Sequence, residues 1–311
     1  MTDNVVCIKS NRLKAEIDLF GGAFRSIVDL KTGEELVWQG CEKCEWKNHD
    51  HVLFPLVCRM KDGFYEHNGT RYESALHGFA KDSMFTAESA TESFATVLLK
   101  SSESTRAAYP FDFELRVKYE VKDNEIAVTY AVKNTGNEIM PYFTGGHLGL
   151  NLDGTDEPDG RNDTRGNFIE FMPPITSEHG LDGNFVLPPS PTYVERAELD
   201  KAYFKKVNTF IGITDGEQKA LVAKKNGGKI ELTTSAPIVA LWSDENYGKY
   251  FCFEPWWGMP DEAVPVREIA DKKRVNFARP GETKTCGYSL KVLQIGCFRG
   301  VLRKVPGKAR K

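Results

Sequence analysis

Glu254 stands inside Tyr250-Phe251-Cys252-Phe253-Glu254-Pro255-Trp256-Trp257-Gly258, a single carboxylate in the most aromatic stretch of the chain. Read as a strand, its period-2 alternation puts Tyr250, Cys252, Glu254 and Trp256 on one face, with Phe251, Phe253 and Pro255 on the other. Neither face is polar, so both are expected to be covered. An ionised carboxylate is costly in such a place unless partners compensate, and a perturbed pKa there suits proton transfer. A solvated glutamate at a strand end is the plainer reading. Two histidines upstream argue against it. His77 lies in Ala75-Leu76-His77-Gly78-Phe79-Ala80-Lys81-Asp82, and His147 in Thr144-Gly145-Gly146-His147-Leu148-Gly149-Leu150-Asn151. Each has a glycine beside it, which lets a ligand or another backbone approach closely. Singly, either imidazole reads as a hydrogen-bonded structural residue. With Glu254 they provide a candidate acid, a positioning donor and a base. Arg59 ends the apolar run Leu53-Phe54-Pro55-Leu56-Val57-Cys58. Its planar fork suits contact with hydroxyls, a structural salt bridge being the alternative.

These residues need a scaffold, and alternation supplies one. Leu115, Val117, Tyr119 and Val121 alternate with Arg116, Lys118 and Glu120; after Lys122-Asp123-Asn124 come Ile126, Val128, Tyr130 and Val132. That pattern predicts an antiparallel hairpin with one buried face. Asn68-Gly69 tolerates the positive φ angles of a type I′ turn and predicts another. Asn226-Gly227-Gly228 joins Ala220–Ala223 to Ile230–Thr233 in the same way, and Cys286, Tyr288, Leu290 and Val292 mark a late strand. Helical periodicity is nearly absent. Many short strands joined by turns imply a large antiparallel sandwich or barrel. The stretch from Asp153 to about Thr192 reads as the least regular part, a long loop or functional rim. No repeat and no linker divides the chain, so one domain over 1–298 is expected, followed by a disordered basic tail over 299–311.

The chain has 311 residues, 41% apolar and 27% charged, with a formal net charge of −3. That charge argues against a nucleic-acid surface. There is no apolar run of about 18 residues and no signal-like amino terminus, so a cytoplasmic protein is expected, with no membrane partner. Seven cysteines, at 7, 41, 44, 58, 252, 286 and 297, are read as reduced thiols. Cys41-Glu42-Lys43-Cys44 with His49 and His51 offers zinc-type ligands, but structural zinc sites place a dozen or more residues between ligand pairs. That stretch is read as a surface loop.

Three segments resemble the aldose 1-epimerase (galactose mutarotase-like) family, in its LacX-like branch. They are Leu53–Arg59 through Asn68-Gly69 to Leu76–Asp82; Gly145-Gly146-His147 with Asn151; and Phe253-Glu254-Pro255-Trp256-Trp257-Gly258-Met259-Pro260-Asp261. Weaker echoes occur at Tyr109–Glu114 and Arg279–Glu282. In order and spacing the likeness spans nearly the whole chain. It implies an all-β galactose mutarotase-like supersandwich with a sugar in an open cleft. It also implies roles: Glu254 as base on the anomeric hydroxyl, His147 as the acid at the ring oxygen, and His77 and Arg59 as sugar ligands. The family's sugar-binding Asp has two candidates here, Asp244 and Asp261. Trp256 or Trp257 could offer an apolar surface to the ring. The sequence departs from the family pattern at Cys58 (usually Gly), Lys81 (often Arg) and Leu148-Gly149-Leu150 (often Pro-Ala-Phe).

Opening a hemiacetal requires removing a proton from O1 while protonating the ring oxygen, which a base and an acid can do together without metal or cofactor. Glu254 would be ionised and His147 protonated in the same complex; a nearby carboxylate favours the imidazolium and burial opposes it. The expected partner is therefore a small sugar, met by a monomer or homodimer. A non-catalytic sugar-binding module of the same fold is the main rival. A glycosidase normally needs two carboxylates about 5–10 Å apart, and only Glu254 has a site-like context. A hexose 6-phosphate substrate is a further alternative, since Arg59 and Lys81 could meet a phosphate.

Overall fold

The predicted hairpins form. The structure is a computed structural model describing residues 4–158, 161–214 and 216–293. Phe113–Lys122 and Glu125–Asn134 pair antiparallel with Leu115 opposite Val132 and Val121 opposite Ile126. Leu115, Val117, Tyr119, Val121, Ile126, Val128, Tyr130 and Val132 are buried, and the residues that alternate with them are half-buried or exposed. Phe64–His67 turns through Asn68 (φ 50°) and Gly69 (φ 74°) into Thr70–Glu73, the backbone a type I′ turn requires. Gln218–Ala223 pairs with Lys229–Thr234, and Thr283–Leu293 is the late strand.

Fifteen strands make one antiparallel sheet. Its central path runs Val52–Leu53, Thr144–Gly146, Tyr250–Trp257, Ile238–Trp242, Thr209–Ile213, Phe168–Asp182. From there it continues through Gln218–Ala223, Lys229–Thr234 and Thr283–Leu293 to the hairpins of residues 86–134. A four-stranded sheet of residues 5–35 packs on it. One apolar cluster, from Ile8 to Val292, fills the space between. Among the described residues there are two short α-helices, Glu103–Ala108 and Lys201–Val207, and no helix long and apolar enough to cross a membrane.

The stretch read as irregular is half regular. Phe168–Asp182 and Phe185–Glu198 form a long hairpin. Pro173, Pro174, Pro188, Pro189 and Pro191 hide its alternation from a sequence reading. Pro173 and Pro174 fall where the pairing shifts register between Glu170 and Ile175, and Pro188, Pro189 and Pro191 lie on an edge strand whose one strand partner among the described residues is Phe168–Asp182, the two settings in which strands accept proline. The reading of all cysteines as thiols is also corrected. A turn over Glu42-Lys43 brings the Cys41 and Cys44 Cα atoms to 5.3 Å and they form a disulfide. Cys7, Cys58, Cys252 and Cys286 are free. Disulfides are uncommon in reducing compartments, so the cysteines no longer support a cytoplasmic location. Cys297 and the basic tail lie outside the described residues.

Candidate active site

Strand register assembles the floor of the site. Gly145 pairs with Trp256 and Leu148 with Phe253, so His147 between them stands opposite Glu254. Gly146 pairs with Val52, so His51 stands opposite His147. Their backbones exchange hydrogen bonds, the His51 N–H donating to the His147 carbonyl at 3.3 Å and the His147 N–H to the His51 carbonyl at 3.1 Å. Ala240 lies opposite Glu254, and Ile211 opposite Ala240. Opposed residues on antiparallel strands project to the same face. A row of five residues, with two imidazoles and one carboxyl, therefore crosses five strands. His51, His147, Glu254 and Ile211 line one cleft of about 510 Å³, together with Trp46, Arg59, His77, Trp242 and Trp256.

Glu254 is 2% exposed and His147 6%. The His147 Nε2 lies 3.3 Å from the Glu254 Oε1. All eight residues of Tyr250–Trp257 are buried, as the two-faced apolar pattern predicts. Burial pushes the Glu254 carboxyl well above the usual carboxylate range. Burial first, then the neighbouring His77 and His51 rings, pushes His147 well below the usual imidazole range. Without a sugar, burial thus favours the neutral form of both groups, a protonated carboxyl and an unprotonated imidazole. Among the described residues the buried Trp256 indole N–H has no hydrogen-bond partner, yet it is near enough to favour the charged form of Glu254.

His77 reaches the cleft from a different element. Gly78 bridges to Phe54, and a Cβ on Gly78 (φ 72°) would lie 2.3 Å from the Phe54 carbonyl oxygen, so only glycine fits. The Cys58 N–H donates to the His77 Nδ1 at 3.0 Å, and the His77 N–H donates to the Cys58 carbonyl at 2.8 Å. An imidazole nitrogen that accepts from an amide carries no proton. The neutral ring therefore keeps its proton on Nε2 as a donor. Burial lowers its pKa to about 3, so it stays neutral. Cys58 itself sits at φ 56°, the left-handed conformation that accounts for the family's usual glycine there. Burial and the nearby Glu254 push its thiol up to about 12, so it is no nucleophile.

His77, His147 and Glu254 present ligand-type atoms within 4.8 Å of one another, a spacing a metal ion could span. The His77 tautomer opposes that use. Binding a cation through Nε2 would move the ring proton to Nδ1, against the Cys58 amide. The Cys41, Cys44, His49 and His51 set does not converge. Both sulfurs are in the disulfide, the His49 Nδ1 contacts the Trp38 carbonyl at 2.8 Å, and the His51 Nε2 accepts the Trp46 indole N–H at 3.3 Å.

Arg59 is exposed at the cleft rim, and its guanidinium makes no ion pair or hydrogen bond among the described residues. Lys81 lines the same cleft with its ammonium paired to Asp82. Trp257 faces the core against Tyr130. Neither Asp candidate reaches the cleft. Asp244 accepts the backbone amides of Glu45, Asn246 and Tyr247 at 2.8–2.9 Å. Asp261 holds the Lys272 ammonium at 2.5 Å and the Lys61 amide at 2.9 Å. Both carboxylates are occupied in fastening loops. Trp46, Asn184, Asn208 and Thr209 also line the cleft, as does His51, which the sequence offered only as a zinc-type ligand. Only His51 carried a sequence signal, the register to His147, and that becomes visible once strands 52–53 and 144–146 are paired.

A model of the aldose 1-epimerase family matches residues 4–285. The chain is 26% identical over 297 residues to the chromosomal LacX protein of Lactococcus lactis subsp. lactis, covering 92% of this chain and 98% of that one. Among solved structures it resembles a galactose mutarotase related enzyme from Lactobacillus acidophilus, at 29% identity and a TM-score of 0.86 over 94% of this chain and 98% of that chain. A galactose mutarotase-like protein from Lactobacillus casei shares the fold at 22% identity and a TM-score of 0.83, over 93% and 100% of the two chains. The all-β fold is thus galactose mutarotase-like, and the match over nearly the whole length, together with the segments around His77, His147 and Glu254, makes this chain a member of the aldose 1-epimerase family.

Proposed function

We propose that the protein is a mutarotase that interconverts the α and β anomers of a free aldose. The observation that carries this reading is the His147–Glu254 pair, 3.3 Å apart on the cleft floor and opposed across one strand register. Ring opening moves one proton from O1 to the Glu254 carboxylate and one from His147 to the ring oxygen. The C1–O5 bond breaks, and its electrons go to the ring oxygen as the O1–H pair forms the carbonyl. Rotation about C1–C2 presents the other face, and closure returns both protons.

The starting state needs the charge on Glu254 and the proton on His147. That is one of two placements of a single proton shared by the pair, and both placements have zero net charge. The switch therefore leaves no uncompensated charge in a buried site. His77, held as an Nε2–H donor, and the unpaired Arg59 fork supply donors for sugar hydroxyls. The unpartnered Trp256 N–H faces the same region.

Polarimetry of freshly dissolved α-glucose and α-galactose tests the reading. Glu254→Gln is expected to retain sugar binding and lose most of the acceleration; an unchanged rate removes Glu254 from the mechanism. Sugar binding without any acceleration in the wild type would instead establish a non-catalytic binding protein. A phosphorylated aldose is the second reading, favoured by Arg59 and Lys81 on one cleft. Rates on glucose and glucose 6-phosphate separate the two.

A further inference from the structure

The loop from Cys41 to His51 holds an indole and an imidazole against the cleft that the acid–base pair does not require. Trp46 is half-buried. Its ring centre is 5.0 Å from that of His147 and 5.7 Å from that of Tyr250. It rests on Gly149, where a Cβ would come 2.4 Å from the indole ring, so the departure Leu148-Gly149-Leu150 is the seat of this tryptophan. The loop behind it is secured at three points. The Trp38 indole N–H donates to the Trp46 carbonyl at 3.3 Å, the Glu45 amide donates to Asp244 at 2.9 Å, and Cys44 packs with Trp38, Tyr250 and Cys252. The indole is therefore ordered before any ligand arrives, which lowers the entropy cost of contact.

Trp46 donates its only polar hydrogen to the His51 Nε2 at 3.3 Å. That bond has two consequences. The indole presents only its apolar ring to the cleft, and the neutral His51 must carry its proton on Nδ1. This nitrogen has no hydrogen-bond partner among the described residues and is not sealed from solvent. Strand register puts His51 on the same face as His147 and Glu254, one strand further from the carboxyl.

We infer that Trp46 and His51 form a recognition wall for the aldose, the indole covering an apolar face of the pyranose and the His51 Nδ1–H donating to a hydroxyl away from the anomeric carbon. The inference rests on the mutarotase reading and deepens it, assigning sugar selectivity to residues separate from the proton-transfer pair. Axial and equatorial hydroxyls at one carbon point in different directions, so a single fixed donor distinguishes epimers.

The test measures kcat and KM by polarimetry, and Kd by calorimetry, for glucose, galactose, mannose and their monodeoxy derivatives. Wild type, Trp46→Ala, Trp46→Phe and His51→Gln are compared, with circular dichroism confirming that each folds. Trp46→Ala is expected to raise KM and Kd about tenfold for every aldose and change kcat by less than about twofold, with Trp46→Phe recovering most of the loss. His51→Gln is expected to shift the ratio of kcat/KM between two epimers by about fivefold. For one monodeoxy sugar the His51 substitution should make no further difference, because the hydroxyl it serves is gone. A wild type that turns over sugar while all variants match it within twofold in KM, Kd and epimer ratio overturns the recognition wall and leaves the mutarotase reading standing. A wild type that neither binds nor turns over any aldose overturns both.

Discussion

His147 stands directly opposite Glu254 across an antiparallel strand pair, its Nε2 3.3 Å from the carboxyl Oε1. Both side chains are nearly sealed from solvent, so the same burial raises one pKa and lowers the other. Their pH behaviour follows. A second proton binds the pair only below the ordinary imidazole value of 6.5, because burial depresses His147. The last proton leaves only above the ordinary carboxyl value of 4.5, because burial raises Glu254. The working state holds one proton and spans the interval between these two steps. After subtraction of the uncatalysed reaction, the acid-side fall of kcat/KM is expected only below 6.5. An acid limb centred at or above that value would contradict the burial argument.

His77 is held as an Nε2–H donor by the Cys58 amide. On the mutarotase reading this ring positions the sugar, and His77→Asn is then expected to raise KM at least as much as it lowers kcat. Exhaustive chelation should leave the rate unchanged, as the fixed tautomer opposes a metal at this imidazole. A rate lost to chelator and restored by one divalent cation would reverse the tautomer assignment.

Cys58 occupies a left-handed backbone position, φ 56°. Cys58→Gly removes that cost and a half-buried side chain together, so stability is expected to change by less than about 1 kcal/mol. Cys58→Val puts a β-branched residue where φ is positive and is expected to lose about 2 kcal/mol or more. Denaturant titration of the two variants measures the contrast, and equal stabilities would count against it.

Asp244 ties the 243–247 turn to the loop that carries Trp46. Asp244→Ala leaves three amide donors without their acceptor and is expected to cost about 1–3 kcal/mol. KM should rise through loss of loop order, while kcat stays within about threefold of wild type. A collapse of kcat with stability unchanged would make Asp244 a sugar ligand.

His51 is pushed from 6.5 to about 4, chiefly by burial and secondarily by Lys81, with Asp82 opposing and His49 adding a smaller push. The unfolded chain takes up this proton first, so the ring costs stability as pH falls from 6.5 towards 4. His51→Gln should remove that loss. The stability difference between variant and wild type is expected to shift in the variant's favour by on the order of 2 kcal/mol between pH 7 and pH 4, less than the full shift because the ring is partly exposed. A pH-independent difference would show that His51 is not buried as described.

Much of this was legible in the chain. Alternation at 113–134 predicted its hairpin, Asn68-Gly69 its turn, and the two-faced apolar pattern around Glu254 its buried strand. These are local signals, because side-chain period and turn backbone depend on a few neighbouring residues. The 168–198 hairpin was not legible, since prolines and register shifts break the alternation. The disulfide was missed because a Cys-x-x-Cys spacing does not say whether its turn brings the sulfurs together.

The sequence by itself determined the chemical inventory: one carboxylate in an aromatic strand, imidazoles beside glycines, an arginine closing an apolar run, and alternation enough for an antiparallel sheet. Only the tertiary structure decided which of these meet. Register between strands far apart in sequence set His51, His147 and Glu254 in one row, and it turned Asp244 and Asp261 away into loop fastening. A one-residue slip would send those side chains to the opposite face. The choice depends on long-range pairing and packing, which no local stretch of the chain encodes.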